Sequence, residues 1–227
     1  MRAVAVAIDG PSGAGKSTIA RAVAGRLGFV YVDTGAMYRT IGLAVCRAGV
    51  QLGHTEDILP VLRSGLDVSL KYENGVQHVL LNGEDVSDLI RTPEMSKYAS
   101  FVSAVPQVRA FLLEAQRDMA KKHAVIMDGR DIGTVILPDA EVKIFLTASA
   151  EARAKRRCLE LTEKGEQVRL EEVLADMKQR DLDDCTRAAA PLRQADDAVL
   201  VDTSDLDLEQ SMDAVEAVIR RTLEEES

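Results

Sequence analysis

The chain has few aromatic residues and a deficit of positive charge, and both features exclude classes of function. Its 227 residues include no tryptophan, aromatic residues make up 4%, and the net charge at pH 7 is −9. Proteins that bind single-stranded nucleic acids stack bases on aromatic side chains, and nucleic acids and anionic membranes both attract basic surfaces. The composition therefore argues against a nucleic-acid-binding or membrane-binding protein. Any cations of an anion site must be gathered locally by the fold.

Cysteine and histidine are equally scarce. The three cysteines, Cys46, Cys158 and Cys185, lie far apart, and the three histidines are just as scattered. Neither set has the spacing of a zinc or redox site. Scattered cysteines are typical of a reducing compartment, so we expect a cytoplasmic protein. No apolar run approaches the ~18 residues of a membrane-spanning helix.

The strongest signal that is present is a glycine-rich loop between an apolar run at 4–8 and a helical pattern. The loop follows the order Gly-x-x-x-x-Gly-Lys-Ser and consists of Gly10, Pro11, Ser12, Gly13, Ala14, Gly15, Lys16, Ser17 and Thr18. Between a strand and a helix, this order predicts a phosphate cradle built from backbone N–H groups. Lys16 is then expected to reach the β and γ phosphates of a bound triphosphate, and Ser17 to bind Mg²⁺. The alternative is a plain glycine-rich turn.

Strands and helices alternate through most of the chain, which predicts an α/β fold with a parallel sheet. Further strands are predicted from the apolar runs at 29–32, 124–127, 142–146 and 198–201. The interval 60–92 breaks this alternation. Its half-apolar segments and its two Asn-Gly turns, at 74–75 and 82–83, predict a small antiparallel β insert.

Residues that follow the other predicted strands point to the rest of a phosphoryl-transfer site. Parallel strands open their carboxyl ends on one side of a sheet, so 10–18, 33–39 and 128–131 are expected to gather there. Asp128 follows four apolar residues, as an acid that orients Mg²⁺ does, although a capping aspartate is the alternative. No hydroxyl-activating base motif is present. A phosphate monoester acceptor needs none, because its second pKa is ~6.

Taken together, these residues resemble the bacterial cytidylate kinases, the CMP/dCMP kinases of the nucleoside monophosphate kinase family. Besides the loop, the resemblance rests on the stretches 33–39, 83–87, 90–92, 128–134 and 187–192. It implies a P-loop kinase fold, with a five-stranded parallel sheet flanked by helices, an enlarged monophosphate-binding region and a mobile lid. We therefore expect a single kinase domain over 1–227, with a core at about 1–37 and 104–227, a monophosphate-binding region at about 38–103 and a lid at about 153–168.

The resemblance also assigns roles to individual residues. Substrate contacts are expected from Thr34, Tyr38, Arg39, Ser100, Arg109, Arg130, Asp131, Arg180, Asp184 and Arg187. Catalytic contacts to the transferring phosphates are expected from Lys16, Arg130, Arg153 and Arg157, and metal contacts from Ser17 and Asp128. In this assignment the Asp131 carboxylate accepts from the amino group of cytosine. The alternative, that Asp131 only pairs with a neighbouring arginine, stays open.

The implied function is the Mg-assisted, in-line transfer of a phosphoryl group from ATP to CMP and dCMP, by a monomer. Two alternatives remain at this point. One is a kinase for another small acceptor, such as UMP, AMP or shikimate. The other is a nucleotide-dependent switch that binds partners, although the sequence has no guanine-reading Asn-Lys-x-Asp motif.

Overall fold

The computed structural model describes residues 4–73, 76–163 and 165–225. The chain forms two compact units, which we call the loop unit (Met1–Tyr31 with Ala124–Ser227) and the insert unit (Val32–His123). The boundaries of these units, after Tyr31 and after His123, differ from the predicted boundaries between the core and the monophosphate-binding region, at about 37 and 103. The predicted division into functional domains therefore stays a prediction.

Strands and helices alternate as expected outside the insert. The strands are β1 Ala5–Asp9, β2 Val30–Asp33, β3 Val68–Glu73, β4 Val76–Leu81, β5 Glu84–Asp85, β6 Val125–Gly129, β7 Val142–Thr147 and β8 Val199–Asp202. The helices are α1 Lys16–Leu27, α2 Thr34–Arg47, α3 Ile58–Arg63, α4 Pro93–Ser103, α5 Pro106–Lys122, α6 Ala150–Glu163, α7 Leu170–Thr186 and α8 Leu208–Glu225. None of the helices in the described part of the chain is long and apolar enough to cross a bilayer.

The central sheet has five strands in the order β2-β6-β1-β7-β8, which confirms the predicted five-stranded α/β sheet. β1 pairs in parallel with β6 on one side and β7 on the other, so both of its edges are paired. Val6, Ala7 and Ile8 are fully buried, and because successive side chains point to opposite faces, both faces of β1 are covered as well. This burial on both faces explains why β1 is continuously apolar in sequence. Asp9 lies opposite Gly129, so the turns that follow β1 and β6 are neighbours.

A separate antiparallel sheet in the insert unit has the order β3-β4-β5 and confirms the predicted β insert. Val68 pairs with Leu81 at the base of the β3–β4 hairpin, whose predicted turn at 74–75 lies outside the described residues. The second turn is present, with Asn82 and Gly83 both at positive φ. The start of the predicted insert was wrong, because residues 60–63 belong to the helix α3. Pro60 is tolerated there, since it lies in the first turn of that helix.

The insert unit has its own apolar core, and α2 runs through it. Met37, Ile41 and Val45 recur along one face of α2 and are almost fully buried. Gly42 allows α4 to approach α2 closely, because a Cβ atom there would lie 2.8 Å from Cβ of Tyr98. Tight packing of α2 fixes the direction in which the polar residues of its first two turns project.

Candidate functional site

The glycine-rich loop has the backbone that its sequence requires. Gly10, Gly13 and Gly15 all have positive φ, with φ 151 at Gly10 and φ 83 at Gly15, the residue that precedes α1. A Cβ atom at Gly10 would lie 1.9 Å from the carbonyl oxygen of Leu146, so only glycine fits. The first turn of α1 directly follows this loop. Its unpaired N–H groups and partial positive charge favour an anion at this end of the helix.

Lys16 is held inside the loop, and its hydrogen-bond acceptor among the described residues is a backbone carbonyl rather than a carboxylate. Its Nζ donates to the carbonyl oxygen of Pro11 at 2.7 Å, and the residue is 5% exposed. Burial, reinforced by the nearby Arg130 charge, lowers the pKa of Lys16 to about 7. The nearby Asp128, Asp184 and Asp9 carboxylates act against this lowering without overcoming it, and a polyphosphate at this position would add further negative charge beside the buried ammonium group.

Ser17 and Asp128 lie side by side, as the predicted metal site requires. The Ser17 hydroxyl donates to Oδ2 of Asp128 at 2.9 Å, and the Tyr31 hydroxyl donates to Oδ1 of the same carboxylate at 2.8 Å. Hydroxyl and carboxylate oxygens are the ligand types that Mg²⁺ prefers, so the donor set fits this ion. Among the described residues, no group of three or more His, Cys, Asp or Glu side chains could hold a metal by itself. Water and phosphate oxygens would have to complete the coordination.

A second aspartate, Asp9, clamps the turn that follows β6. Its two carboxylate oxygens accept from the backbone N–H groups of Ile132 and Gly133, at 2.7 and 2.8 Å. Burial raises the pKa of Asp9 to about 6, against the lowering effect of these two hydrogen bonds. The clamped residues open a π-helical turn, Ile132–Ile136, directly after Asp131. Asp9 therefore fixes the backbone next to a predicted substrate residue.

Four of the predicted substrate residues form one cluster of charges in the loop unit. Nε of Arg130 donates to Asp184 at 2.7 Å. Arg187 lies between two carboxylates, 3.6 Å from Oδ1 of Asp131 and 3.7 Å from Oδ1 of Asp184. Asp131 is 3% exposed, so this cluster is buried on its Asp131 side. An Asp131–Arg187 pair is also the alternative role that the sequence left open for Asp131.

Arg153 is engaged with the loop and with α7. Its guanidinium donates to the carbonyl oxygens of Ser12 and Ala148, both at 2.9 Å, and to both oxygens of Asp181. The other two arginines of α6 and α7 with predicted roles pair with acids one turn away on their own helices. Arg157 contacts Glu160 at 2.6 Å, and Arg180 lies 3.5 Å from Asp176.

In the insert unit, the start of α2 presents an organised arginine. The Asp33 carboxylate accepts from the N–H of Ala36 at 2.8 Å, which caps α2, and from Arg39 at 3.0 Å. Arg39 folds back over Gly35, where a Cβ atom would lie 3.0 Å from Nη1 of Arg39. Within the described residues, the buried Nε of Arg39 has no hydrogen-bond partner. One donor of this arginine therefore faces no acceptor from the described part of the chain.

The β insert supports the same helix start. The side-chain oxygen of Gln77, on β4, accepts from the backbone N–H of Asp33 at 2.9 Å. The amide nitrogen of Gln77 donates to the carbonyl oxygen of Asp33 at 3.4 Å, and the hydroxyl of Tyr72 donates to the Gln77 oxygen at 3.4 Å. The hairpin therefore holds the backbone of Asp33 through Gln77, and Asp33 is the residue that caps α2 and pairs with Arg39.

The other predicted substrate residues of the insert unit lie on three helices. Thr34 and Tyr38 are buried on α2, and the guanidinium carbon of Arg109, on α5, lies 5.6 Å from the centre of the Tyr38 ring. This is the geometry of a cation–π contact. Ser100 is exposed on α4, and its backbone carbonyl accepts from the Ser103 hydroxyl at 2.9 Å.

Three supporting residues escaped the sequence analysis: Asp9, Gln77 and Asp181. Each acts on a backbone group or a side chain that is distant in sequence. Asp9 is the first polar residue after a fully apolar strand, and that position could have drawn attention to it. Gln77 and Asp181 lie on ordinary polar positions of a strand and a helix, where no local pattern distinguishes them.

The family profile and the curated relatives agree on one family. The sequence profile described as Cytidylate kinase matches residues 6–221. A cytidylate kinase from Caldicellulosiruptor saccharolyticus is 53% identical over 215 residues, 95% of this chain and 95% of its own. One from Geobacter sulfurreducens is 50% identical, over 96% of this chain and 94% of its own. The solved structure of an uncharacterized protein from Eubacterium ventriosum covers 96% of this chain and 98% of its own, with a TM-score of 0.51 at 14% identity. That likeness supports the fold alone.

Proposed function

The chain belongs to the cytidylate kinase family, and we propose that it transfers the γ-phosphoryl group of ATP to CMP and dCMP. The products are ADP and the corresponding nucleoside diphosphate. The observation that carries this proposal is the family match over residues 6–221, which includes the phosphate loop with its buried lysine.

ATP is the donor, and its phosphates would bind the loop at 10–18. Lys16 would stabilise charge on the β and γ phosphates in a site from which water is excluded, where a fixed cation is most effective. Ser17 and Asp128 would hold Mg²⁺, which when bound neutralises charge on the phosphate oxygens. In this proposal Arg130 and Arg157 provide further positive charge for the transferring phosphoryl group.

CMP is the acceptor. The ligands that the family resemblance implies for it are Thr34, Tyr38, Arg39, Ser100, Arg109, Arg130, Asp131, Arg180, Asp184 and Arg187. The Nε donor of Arg39, which is buried without a partner among the described residues, suits a phosphate oxygen. The acceptor phosphate is already ionised near neutral pH, so the enzyme must position it and neutralise its charge rather than deprotonate it.

Cytosine recognition would depend on Asp131. Its carboxylate can accept from the amino group at N4 of cytosine, whereas uracil presents an oxygen at the same position. Placing two acceptors face to face in a buried site costs a few kcal/mol, which corresponds to roughly 100-fold in specificity. Ser100 and Arg109 would donate to the remaining acceptors of the base.

Three finer features belong to the same proposal. A lid at about 153–168 would close over the phosphates and exclude water, which otherwise hydrolyses ATP. The enzyme would act as a monomer, by family resemblance. It would act in the cytoplasm, where its cysteines, free among the described residues, stay reduced.

An ADP-release assay with CMP, dCMP, UMP, AMP and shikimate as acceptors tests the proposal. We expect CMP and dCMP to give the highest kcat/KM. A higher kcat/KM for UMP, AMP or shikimate would identify that compound, rather than CMP, as the acceptor. Slow ADP release at the same rate with every acceptor, and with none, would favour a nucleotide-dependent switch and reject the kinase.

A further inference from the structure

Arg153 is almost completely saturated by protein partners. The residue is 4% exposed, and it makes four hydrogen bonds: one to Ala148, one to Ser12 and two to Asp181. A guanidinium has five N–H donors, so little capacity remains for a phosphate. Both nitrogens of the fork face the two oxygens of Asp181, at 3.0 and 2.6 Å, in the strong bidentate geometry.

The Ser12 contact places Arg153 on the phosphate loop itself. Ser12 is followed by Gly13, where a Cβ atom would lie 2.8 Å from Cε of Met177 and 3.5 Å from Cβ of Arg153. Met177 and Asp181 are four residues apart on α7 and thus lie on the same face of that helix. Two helices therefore pack against the middle of the loop: α6 through Arg153 and α7 through Met177.

We propose that Arg153 is a positioning residue, held by Asp181, which acts on ATP through the Ser12 carbonyl rather than by touching the phosphates. Fixing that carbonyl fixes the orientation of the peptide between Ser12 and Gly13, and with it the backbone N–H groups that cradle the anion. To turn its fork onto a phosphate, Arg153 would have to break its two hydrogen bonds to Asp181 and leave that carboxylate without its cation. This inference rests on the proposed function, and it replaces the direct phosphate contact that the family resemblance implies for Arg153.

A double-mutant cycle on Arg153 and Asp181 tests the proposal, with binding of MgADP and MgATP measured by calorimetry and kcat and KM measured in parallel. We expect Arg153→Ala and Asp181→Ala each to weaken nucleotide binding by about 10-fold, and the double variant to lose no more than the weaker-binding single variant. KM for CMP is expected to stay within about twofold of the wild type. General destabilisation would not weaken nucleotide binding while leaving KM for CMP unchanged. A phosphate-binding Arg153 predicts a large loss for Arg153→Ala and little change for Asp181→Ala, which would overturn the proposal.

Two further variants keep the result interpretable if the alanine variants fold poorly. Arg153→Lys preserves the charge but not the fork, so we expect it to bind nucleotide as weakly as Arg153→Ala. Near-normal affinity in Arg153→Lys would instead indicate a simple charge contact and contradict the proposal. Lys178→Ala is the matched control, because it removes an exposed ion pair between α7 and α6, Lys178–Glu151 at 3.3 Å. We expect it to bind nucleotide within twofold of the wild type. A 10-fold loss would mean that any contact between these helices matters, and would reject a specific role for Arg153.

The binding arm separates this inference from the proposed function. Nucleotide affinity does not depend on the identity of the acceptor, so the cycle gives its answer even if the wild-type protein fails to phosphorylate CMP. Failure of CMP phosphorylation in the wild type with an intact coupling between Arg153 and Asp181 would overturn only the function. Additive losses in the cycle, with an active wild type, would overturn only the inference.

Discussion

The two units of this protein each present a cation suited to a phosphate, and they stabilise it in opposite ways. In the loop unit, Lys16 donates to a neutral carbonyl, that of Pro11, and burial lowers its pKa to about 7. In the insert unit, Arg39 is paired with a carboxylate, Asp33, and its side chain is 25% exposed. Among the described residues, the lysine therefore has a neutral hydrogen-bond acceptor, whereas the arginine has a carboxylate.

This difference indicates how each cation is prepared. Backbone geometry holds Lys16. Glycines at positive φ allow the loop to turn so that the Lys16 side chain reaches the Pro11 carbonyl of the same loop. Side chains hold Arg39, through a chain of contacts that begins at Gln77 on the β insert and runs through Asp33. Breaking the backbone-built site should abolish function, while loosening the site built from side chains should weaken it by degrees.

The largest effect is expected at the loop. Lys16→Ala should reduce kcat/KM for CMP by about 10³-fold, because the transition state loses a buried cation that nothing else replaces. Circular dichroism should show an unchanged fold. Turnover within tenfold of the wild type would remove Lys16 from the mechanism and would undo the contrast with Arg39.

The next effect concerns specificity. Asp131→Ala should lower the ratio of kcat/KM for CMP over UMP by about 100-fold, because the acceptor that distinguishes the two bases is lost. KM for ATP should change little, which serves as the internal control. An unchanged CMP-to-UMP ratio would assign Asp131 to its ion pair with Arg187, at 3.6 Å, and to nothing further.

A smaller effect is expected from the β insert. Gln77→Ala should raise KM for CMP by about 3- to 10-fold through the loss of hydrogen bonds that hold the Asp33 backbone, each of which contributes ~1 kcal/mol. KM for ATP should stay constant, because Gln77 belongs to the insert unit. His78→Ala, next to Gln77 on β4 and paired with Asp85 at 2.7 Å, is the matched control and should leave both constants unchanged. Equal effects of the two variants would show that only the stability of the hairpin matters.

The smallest effect is a pH dependence of stability at Asp9. Burial raises the pKa of Asp9 from 3.8 to about 6, so the folded protein holds a proton that the unfolded chain has already released in this interval. Stability from this group is therefore greatest below about pH 4 and is lost as the pH rises through about 6. The stability of the wild type relative to Asp9→Asn, from denaturant unfolding, should fall between pH 4 and 7. A stability difference that rises with pH would show that the two N–H hydrogen bonds lower the pKa of Asp9 by more than burial raises it.

The parts of the fold and site that follow local rules were predictable from sequence. The loop at 10–18 is flanked by an apolar strand and a periodic helix, and Asp128 ends another buried strand, so context within about ten residues was sufficient. The helix α3 was missed because six residues are too few to show a helical period, and a proline lies in its first turn. The π-helical turn after Asp131 depends on Asp9, more than a hundred residues earlier in the chain.

Contacts between side chains remote in sequence account for the rest. The family resemblance placed Arg153 on the transferring phosphates, and nothing local indicated its pairing with Asp181, which lies 28 residues away. Gln77 contacts Asp33 across 44 residues, again at a position that looks like any exposed strand residue. Such contacts are specified by tertiary packing, which a single sequence does not display.

The central claim is that ATP held on the glycine loop gives its γ-phosphoryl group to CMP. The most direct test is to follow the label from ATP carrying ³²P in the γ position, with and without CMP. The account predicts that the label appears in CDP, in equal amount to the ADP formed, and that little inorganic phosphate is released. Label that appears as inorganic phosphate at the same rate with and without CMP would contradict it.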